Sequence, residues 1–104
     1  MNTSLQPDTA VLLSAPETIY HLSNQIARSG LSEISLLSEK SDIQSYAWEE
    51  WRIRALCTGS LDNIYSFIET LESSGTYFDL DFTIHADHNG SNNLNFSLLF
   101  YAYS

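Results

Sequence analysis

The side chains best placed to do chemistry in this 104-residue chain are His85 and His88, with Asp87 between them and Asp79 and Asp81 upstream. Imidazoles and carboxylates so close in sequence raise the question of a metal centre. Their spacing argues against one. On a continuing strand residues 85 and 88 point to opposite faces, and in a turn they lack the fixed geometry that ligation demands. Asp87-His88-Asn89-Gly90 also lacks the carboxylate spacing and closing glutamate of a calcium loop. Glu49 and Glu50 are adjacent, so on a strand they project to opposite sides and cannot share a proton as a catalytic pair does. Asp79 and Asp81 share a face, but no positioned acid, base or cleft stands beside them. The chain has no G-x-S-x-G elbow, no phosphate-cradling glycine loop and no dinucleotide fingerprint. Cys57 is the single cysteine, so neither an internal disulfide nor a thiolate cage can form, and at an inward strand position it is a small hydrophobe. No catalytic residue, cofactor or metal is expected.

Charge narrows the class of partner. The formal net charge is −9, with Arg28, Lys40, Arg52 and Arg54 the only basic residues apart from histidine. Phosphate backbones and anionic membranes need clustered cations, so nucleic acid and direct membrane contact are excluded as partners. No run approaches the roughly eighteen apolar residues that span a bilayer, and Met1 to Leu13 has no basic n-region or apolar h-region of signal-peptide length. The chain is expected to be soluble, with 1–13 a flexible tail or linker remnant and 14–104 one small domain.

The elements that position these residues follow from periodicity. Ser14-Ala15-Pro16-Glu17 has capping-box spacing with proline in the first turn, Ile19, Leu22 and Ile26 form one apolar stripe, and Gly30 is a left-handed stop. This predicts helix from about Ala15 to Ser29. Ser32 to Ser38 predicts a strand with Ile34 and Leu36 on one face, followed by a loop from Glu39 to Ser45. From Ala47 to Thr58, Trp51, Ile53, Ala55 and Cys57 alternate with Glu50, Arg52, Arg54, Leu56 and Thr58 in a second strand. Ser60 caps a second helix, in which Leu61, Ile64, Phe67, Ile68 and Leu71 keep helical spacing until Gly75. Phe78, Leu80, Phe82 and Ile84 then alternate inward against Asp79, Asp81, Thr83 and His85. Asn89-Gly90 marks a turn, widened by Ser91 to Asn93, before the last strand, in which Leu94, Phe96, Leu98, Phe100 and Ala102 face inward.

The order is α-β-β-α-β-β, an α+β ferredoxin-like sandwich with two helices on one face of a four-stranded antiparallel sheet. The other sheet face stays open and is lined by Arg52, Arg54, Leu56, Thr58, Asp79, Asp81, Thr83, Leu99, Tyr101 and Tyr103. Leu99, Tyr101 and Tyr103 project together at every second residue, and Leu56 on the neighbouring strand array is expected to extend the patch. Tyrosine and arginine contribute most at protein interfaces, so this face is the expected partner surface; helix one around Tyr20 and Gln25 is the alternative.

The element order, with the stretch from Trp51 to Tyr103, resembles the periplasmic domain of PilO-type proteins of type IV pilus assembly, relatives of the M-type subunits of type II secretion. The matching features are a strand ending in Thr58-Gly59-Ser60, a helix reading Ile64-x-x-Phe67-Ile68-x-x-Leu71, and a final Leu94-x-Phe96-x-Leu98-x-x-Tyr101-x-Tyr103. Coverage runs from about Pro16 to Ser104, without the cytoplasmic segment, membrane helix and coiled coil that usually precede this domain in such proteins. The resemblance implies a non-catalytic structural subunit of an inner-membrane assembly platform, anchored there by a membrane segment outside this chain. It also implies that the periplasmic domain pairs with itself as a homodimer or with a similar ferredoxin-like subunit of N or L type. A small-molecule-sensing regulatory domain of ACT type shares the sheet architecture. An acylphosphatase-type enzyme would need a glycine-rich anion loop with paired Arg and Asn, which is lacking.

Overall fold

The computed structural model describes residues 12–44, 47–86 and 90–103. Within them the chain forms α1 (Ala15–Arg28), β1 (Ser32–Gln44), β2 (Trp48–Gly59), α2 (Leu61–Ser74), β3 (Phe78–Ala86) and β4 (Asn92–Tyr103). Helix α1 starts at a reciprocal capping box: the Glu17 N–H donates to Ser14 Oγ at 3.2 Å and the Ser14 N–H donates to Glu17 Oε1 at 3.1 Å. It ends in a Schellman turn one residue earlier than its periodicity predicts, with Ser29 as the cap. There the Gly30 N–H donates to Ala27 O at 3.0 Å and the Leu31 N–H to Ile26 O at 3.2 Å. Gly30 has φ +81°, a conformation costly for any residue with a Cβ, and Leu31 tucks back buried against the core. Ser60 caps α2 by accepting from the Asn63 N–H at 3.2 Å.

The strands form one four-stranded antiparallel sheet in the order β1-β2-β4-β3. Both helices lie on one face, so the architecture is the ferredoxin-like α+β sandwich in permuted order. Between helices and sheet lie Leu22, Ile26, Ile53, Phe67, Leu98 and Phe100, all essentially without solvent exposure. Phe67 meets Phe96 at 5.4 Å between ring centroids, and Trp51 stacks on Phe100 at 6.5 Å. Phe82, expected in the core, packs against it only half-buried, because β3 is an edge strand.

Three expectations for β1 and β4 need correction. First, the loop from Glu39 to Ser45 is strand as far as Gln44, paired with β2 at Lys40↔Trp51 and Gln44↔Glu49. A polar edge strand pairs through its backbone and needs no apolar alternation; Ser45 lies outside the described residues. Second, Ile34 and Leu36 do not share a face. A bulge sits between Glu33↔Cys57 and Ser35↔Leu56, leaving Ile34 59% exposed while Leu36, opposite Ala55, is half-buried. Third, β4 begins at Asn92, where a loop through Asn93 is expected, and Thr58 Oγ1 donates to Asn92 O at 3.1 Å. The predicted turn at Asn89, together with Asp87 and His88, lies outside the described residues, as does 1–11. The segment leading into α1 lies beside the end of β4, where the Tyr103 N–H donates to Leu13 O at 3.1 Å.

Candidate protein interface on the open sheet face

Register fixes what the open face displays. The outward pairs of the central strands are Trp48↔Tyr103, Glu50↔Tyr101, Arg52↔Leu99, Arg54↔Ser97, Leu56↔Asn95 and Thr58↔Asn93. Paired residues project on the same side, so aromatic side chains collect at one end of the face. The expected Leu99, Tyr101 and Tyr103 are all there. Tyr103 is 47% exposed, and Leu99 and Tyr101 are half-buried. Leu56 does not join them. It lies four residues along β2 from Arg52, about 13 Å away, with the Arg54↔Ser97 pair between them. With Ser35, Leu37, Arg54, Asp81 and Thr83 it borders a separate shallow depression of ≈ 400 Å³.

Two aromatics missing from the expected patch complete it. Trp48 meets Tyr101 at 4.4 Å between ring centroids, and Phe78 meets Tyr101 from the other side at 4.7 Å. The even-numbered alternation of β2, run one step back past Glu50, reaches Trp48 and would have found it. Phe78 was expected inward with Leu80 and Phe82, and the structure places it outward, opposite Leu99. The cause is a bulge between Phe78 and Asp81, centred on Asp79 with φ 54°, the one positive value at a non-glycine residue among those described. One extra residue reverses the side-chain alternation, so Phe78 changes face while Leu80 and Phe82 remain on the core side. Aspartate tolerates the left-handed region better than most residues, but its identity alone does not announce the bulge.

Charged groups rim this cluster. Arg52 Nη2 approaches Asp79 Oδ2 at 3.3 Å, with the two side chains 32% and 62% exposed, a screened contact of about 0.2–1 kcal/mol. Glu49 accepts from Trp51 Nε1 at 3.1 Å and faces Lys40 at 3.7 Å, while Glu50 lies on the open face opposite Tyr101. The adjacent carboxylates therefore serve different contacts. Among the described residues no three histidines, cysteines or carboxylates converge on a metal-sized site. His85 is exposed near the end of β3. Cys57 is fully buried, and burial, reinforced by the nearby Glu33 carboxylate, pushes its thiol up to about 11. On the helix side, Gln25 borders a polar groove of ≈ 420 Å³ between α1 and α2, with His21, Asn24, Arg28, Ser66 and Thr70. Tyr20, 65% exposed, meets the edge of the His21 ring at 6.0 Å.

An apolar, aromatic-rich end of a mixed sheet face suits contact with another protein. Solved structures share the fold. The type 4 fimbrial biogenesis protein PilO from Pseudomonas aeruginosa matches at a TM-score of 0.64 and 15% identity over 86% of this chain and 69% of that one. This is a PilO-like fold. The core region of PilO from the type IV pilus system of the same organism matches at 0.53 and 16% identity, over 80% of this chain and 92% of that one. A protein of Akkermansia muciniphila determined without its transmembrane region matches at 0.66 and 17% identity, and the chain spans 54% of its length. No family model and no curated protein matches the sequence.

Proposed function

We propose that the chain is a PilO-like periplasmic domain, a non-catalytic structural subunit of an inner-membrane platform for type IV pilus assembly or the related type II secretion. The observation that carries this reading is the likeness of its fold to PilO over 80–86% of the chain. In this role it pairs with a similar ferredoxin-like subunit of N or L type through the end of the open face built by Trp48, Phe78, Leu99, Tyr101 and Tyr103. The half-buried rings of Trp48, Phe78 and Tyr101 already pack on one another, so a partner meets a preformed surface and loses little side-chain entropy in ordering it. No helix among the described residues is long and apolar enough to cross a membrane, and the platform role assigns the anchor to a segment outside this chain.

The test is sedimentation equilibrium of the chain, alone and mixed with ferredoxin-like domains encoded beside its gene. Leu99→Asp and Tyr101→Asp, folded by circular dichroism, should lose the association with those domains that the parent shows. Association equal to the parent removes the open face from the reading, and a fused catalytic domain in the full coding sequence removes the platform role.

A further inference from the structure

A second surface, separate from the aromatic end of the open face, lies along β1. At 13 residues β1 is the longest strand, it stands at the edge of the sheet, and among the described residues no strand covers its outer side. Exposed edges of this length invite pairing and are ordinarily shortened, charged or capped by another element. This edge carries Glu33, Glu39, Lys40 and Asp42, yet it also exposes apolar side chains: Leu37 is 68% exposed, the highest value for any large apolar side chain among the described residues, and Ile34 is 59% exposed. Irregularities fall at Ile34 and between Lys40 and Gln44, leaving Ser35 to Lys40 as a regular stretch the length of an average strand.

We propose that this edge pairs antiparallel with the same edge of a second copy of the chain, about a two-fold axis through Leu37. The sequence of β1 fits itself in that register. Leu37 opposes Leu37, Leu36 opposes Ser38 on the helix side, and Ser35 opposes Glu39 on the open side, as their partners on β2 require. Beyond Ser35 the bulged Ile34 is passed over, and the next pair is Glu33 with Lys40. Both lie on the helix side, Glu33 opposite Cys57 and accepting from Ser23 Oγ of α1 at 2.9 Å, and Lys40 opposite Trp51. The bulge thus brings the only lysine of an acidic chain against a carboxylate of its twin, twice per dimer. Sliding the axis one residue to Ser38 sets Leu37 against Glu39 and Leu36 against Lys40, an apolar-to-charge mismatch. The Leu37–Leu37 pair and the oppositely charged Glu33–Lys40 pairs favour the Leu37 register, in which Leu36 meets only the small Ser38. The product is one continuous sheet twice the width of the monomer's, with the Tyr101 end of each open face still uncovered.

Opposed Cα atoms in an antiparallel pair lie about 4.5–5.5 Å apart, inside the range a disulfide bridges. Under mild oxidation the full chain carrying Leu37→Cys should therefore convert to a covalent dimer well ahead of one carrying Tyr65→Cys, which is also exposed but on α2. The buried Cys57 does not compete. By sedimentation equilibrium the parent should be a dimer. Leu37→Lys, folded by circular dichroism, should be a monomer. Lys40→Glu should weaken association several-fold, and Glu33→Lys added to it should restore the dimer. A monomeric parent at all concentrations overturns the inference. So does cross-linking that is no faster at position 37 than at 65. If Tyr101→Asp abolishes the homodimer and Leu37→Lys does not, this inference falls while the open-face reading stands. If Leu37→Lys abolishes binding only to a different protein, the edge accepts a foreign strand and the second copy is not its occupant.

Discussion

The bulge at Asp79 places Phe78 on the open face, and two substitutions at that residue separate its backbone role from its side-chain role. Asp79 sits at φ 54° and its carboxylate meets Arg52 at 3.3 Å. Asp79→Gly and Asp79→Val both delete the carboxylate, so both lose the same screened ion pair, about 0.2–1 kcal/mol. They differ in the backbone. Glycine occupies the left-handed region without steric cost, and the greater freedom it confers on the unfolded chain costs about 0.4–1 kcal/mol. A β-branched residue held there stores roughly 1–3 kcal/mol of strain. With the glycine cost subtracted, the gap between the variants is about 1 kcal/mol, which in a domain of this size corresponds to roughly 5 °C in melting temperature. Thermal melts followed by far-ultraviolet circular dichroism measure it. Near-ultraviolet spectra report whether Phe78 keeps its place beside Tyr101 and Trp48, and Asp79→Gly should retain the parent signal. Coincident melts for the glycine and valine variants would show that the strand carries no left-handed residue at 79, and the account of how Phe78 reaches the open face would fail.

Phe67→Ala empties a fully buried site against Phe96 and should cost about 3–5 kcal/mol, whereas Phe82→Ala, half-buried on edge strand β3, should cost about 2 kcal/mol; urea titrations that rank them in the reverse order refute the helix-two register. Cys57, buried with its thiol pushed up to about 11, should resist thiol reagents at pH 8 in the native chain and react fully once denatured. Ser14→Ala should cost about 1 kcal/mol by removing the cap of α1. The hydrogen bonds from Ser14 hold the Glu17 carboxyl below its ordinary pKa, so its contribution is present above the unfolded-state value and is lost as pH falls through the lowered one. The parent should therefore lose more stability on acidification than Glu17→Gln, and parallel acid titrations would refute the cap's electrostatic part.

Much of the architecture is written in local pattern. Capping at Ser14 and Ser60, the stop at Gly30 and the alternation through Trp51–Cys57 and Leu94–Ala102 each depend on a few neighbouring residues, so they specify helix ends and inward faces before any tertiary contact forms. Leu99, Tyr101 and Tyr103 were legible as one row for the same reason: period-two alternation needs nothing beyond the strand itself. The departures all lie where a neighbour decides. Residues 39–44 are strand because β2 supplies a partner for the β1 backbone, a pairing that leaves no apolar trace in the sequence. The bulges at Ile34 and Asp79 exist because registers on either side of them must be reconciled across two strands, and one added residue reverses every side chain beyond it. Ile34 is thereby exposed and Phe78 joined to Trp48 and Tyr101. Which residues form the aromatic end of the open face, and that Leu56 stands apart from it, were decided only when β2, β3 and β4 came together, since strand order and register join residues far apart in the chain and periodicity acts only along it.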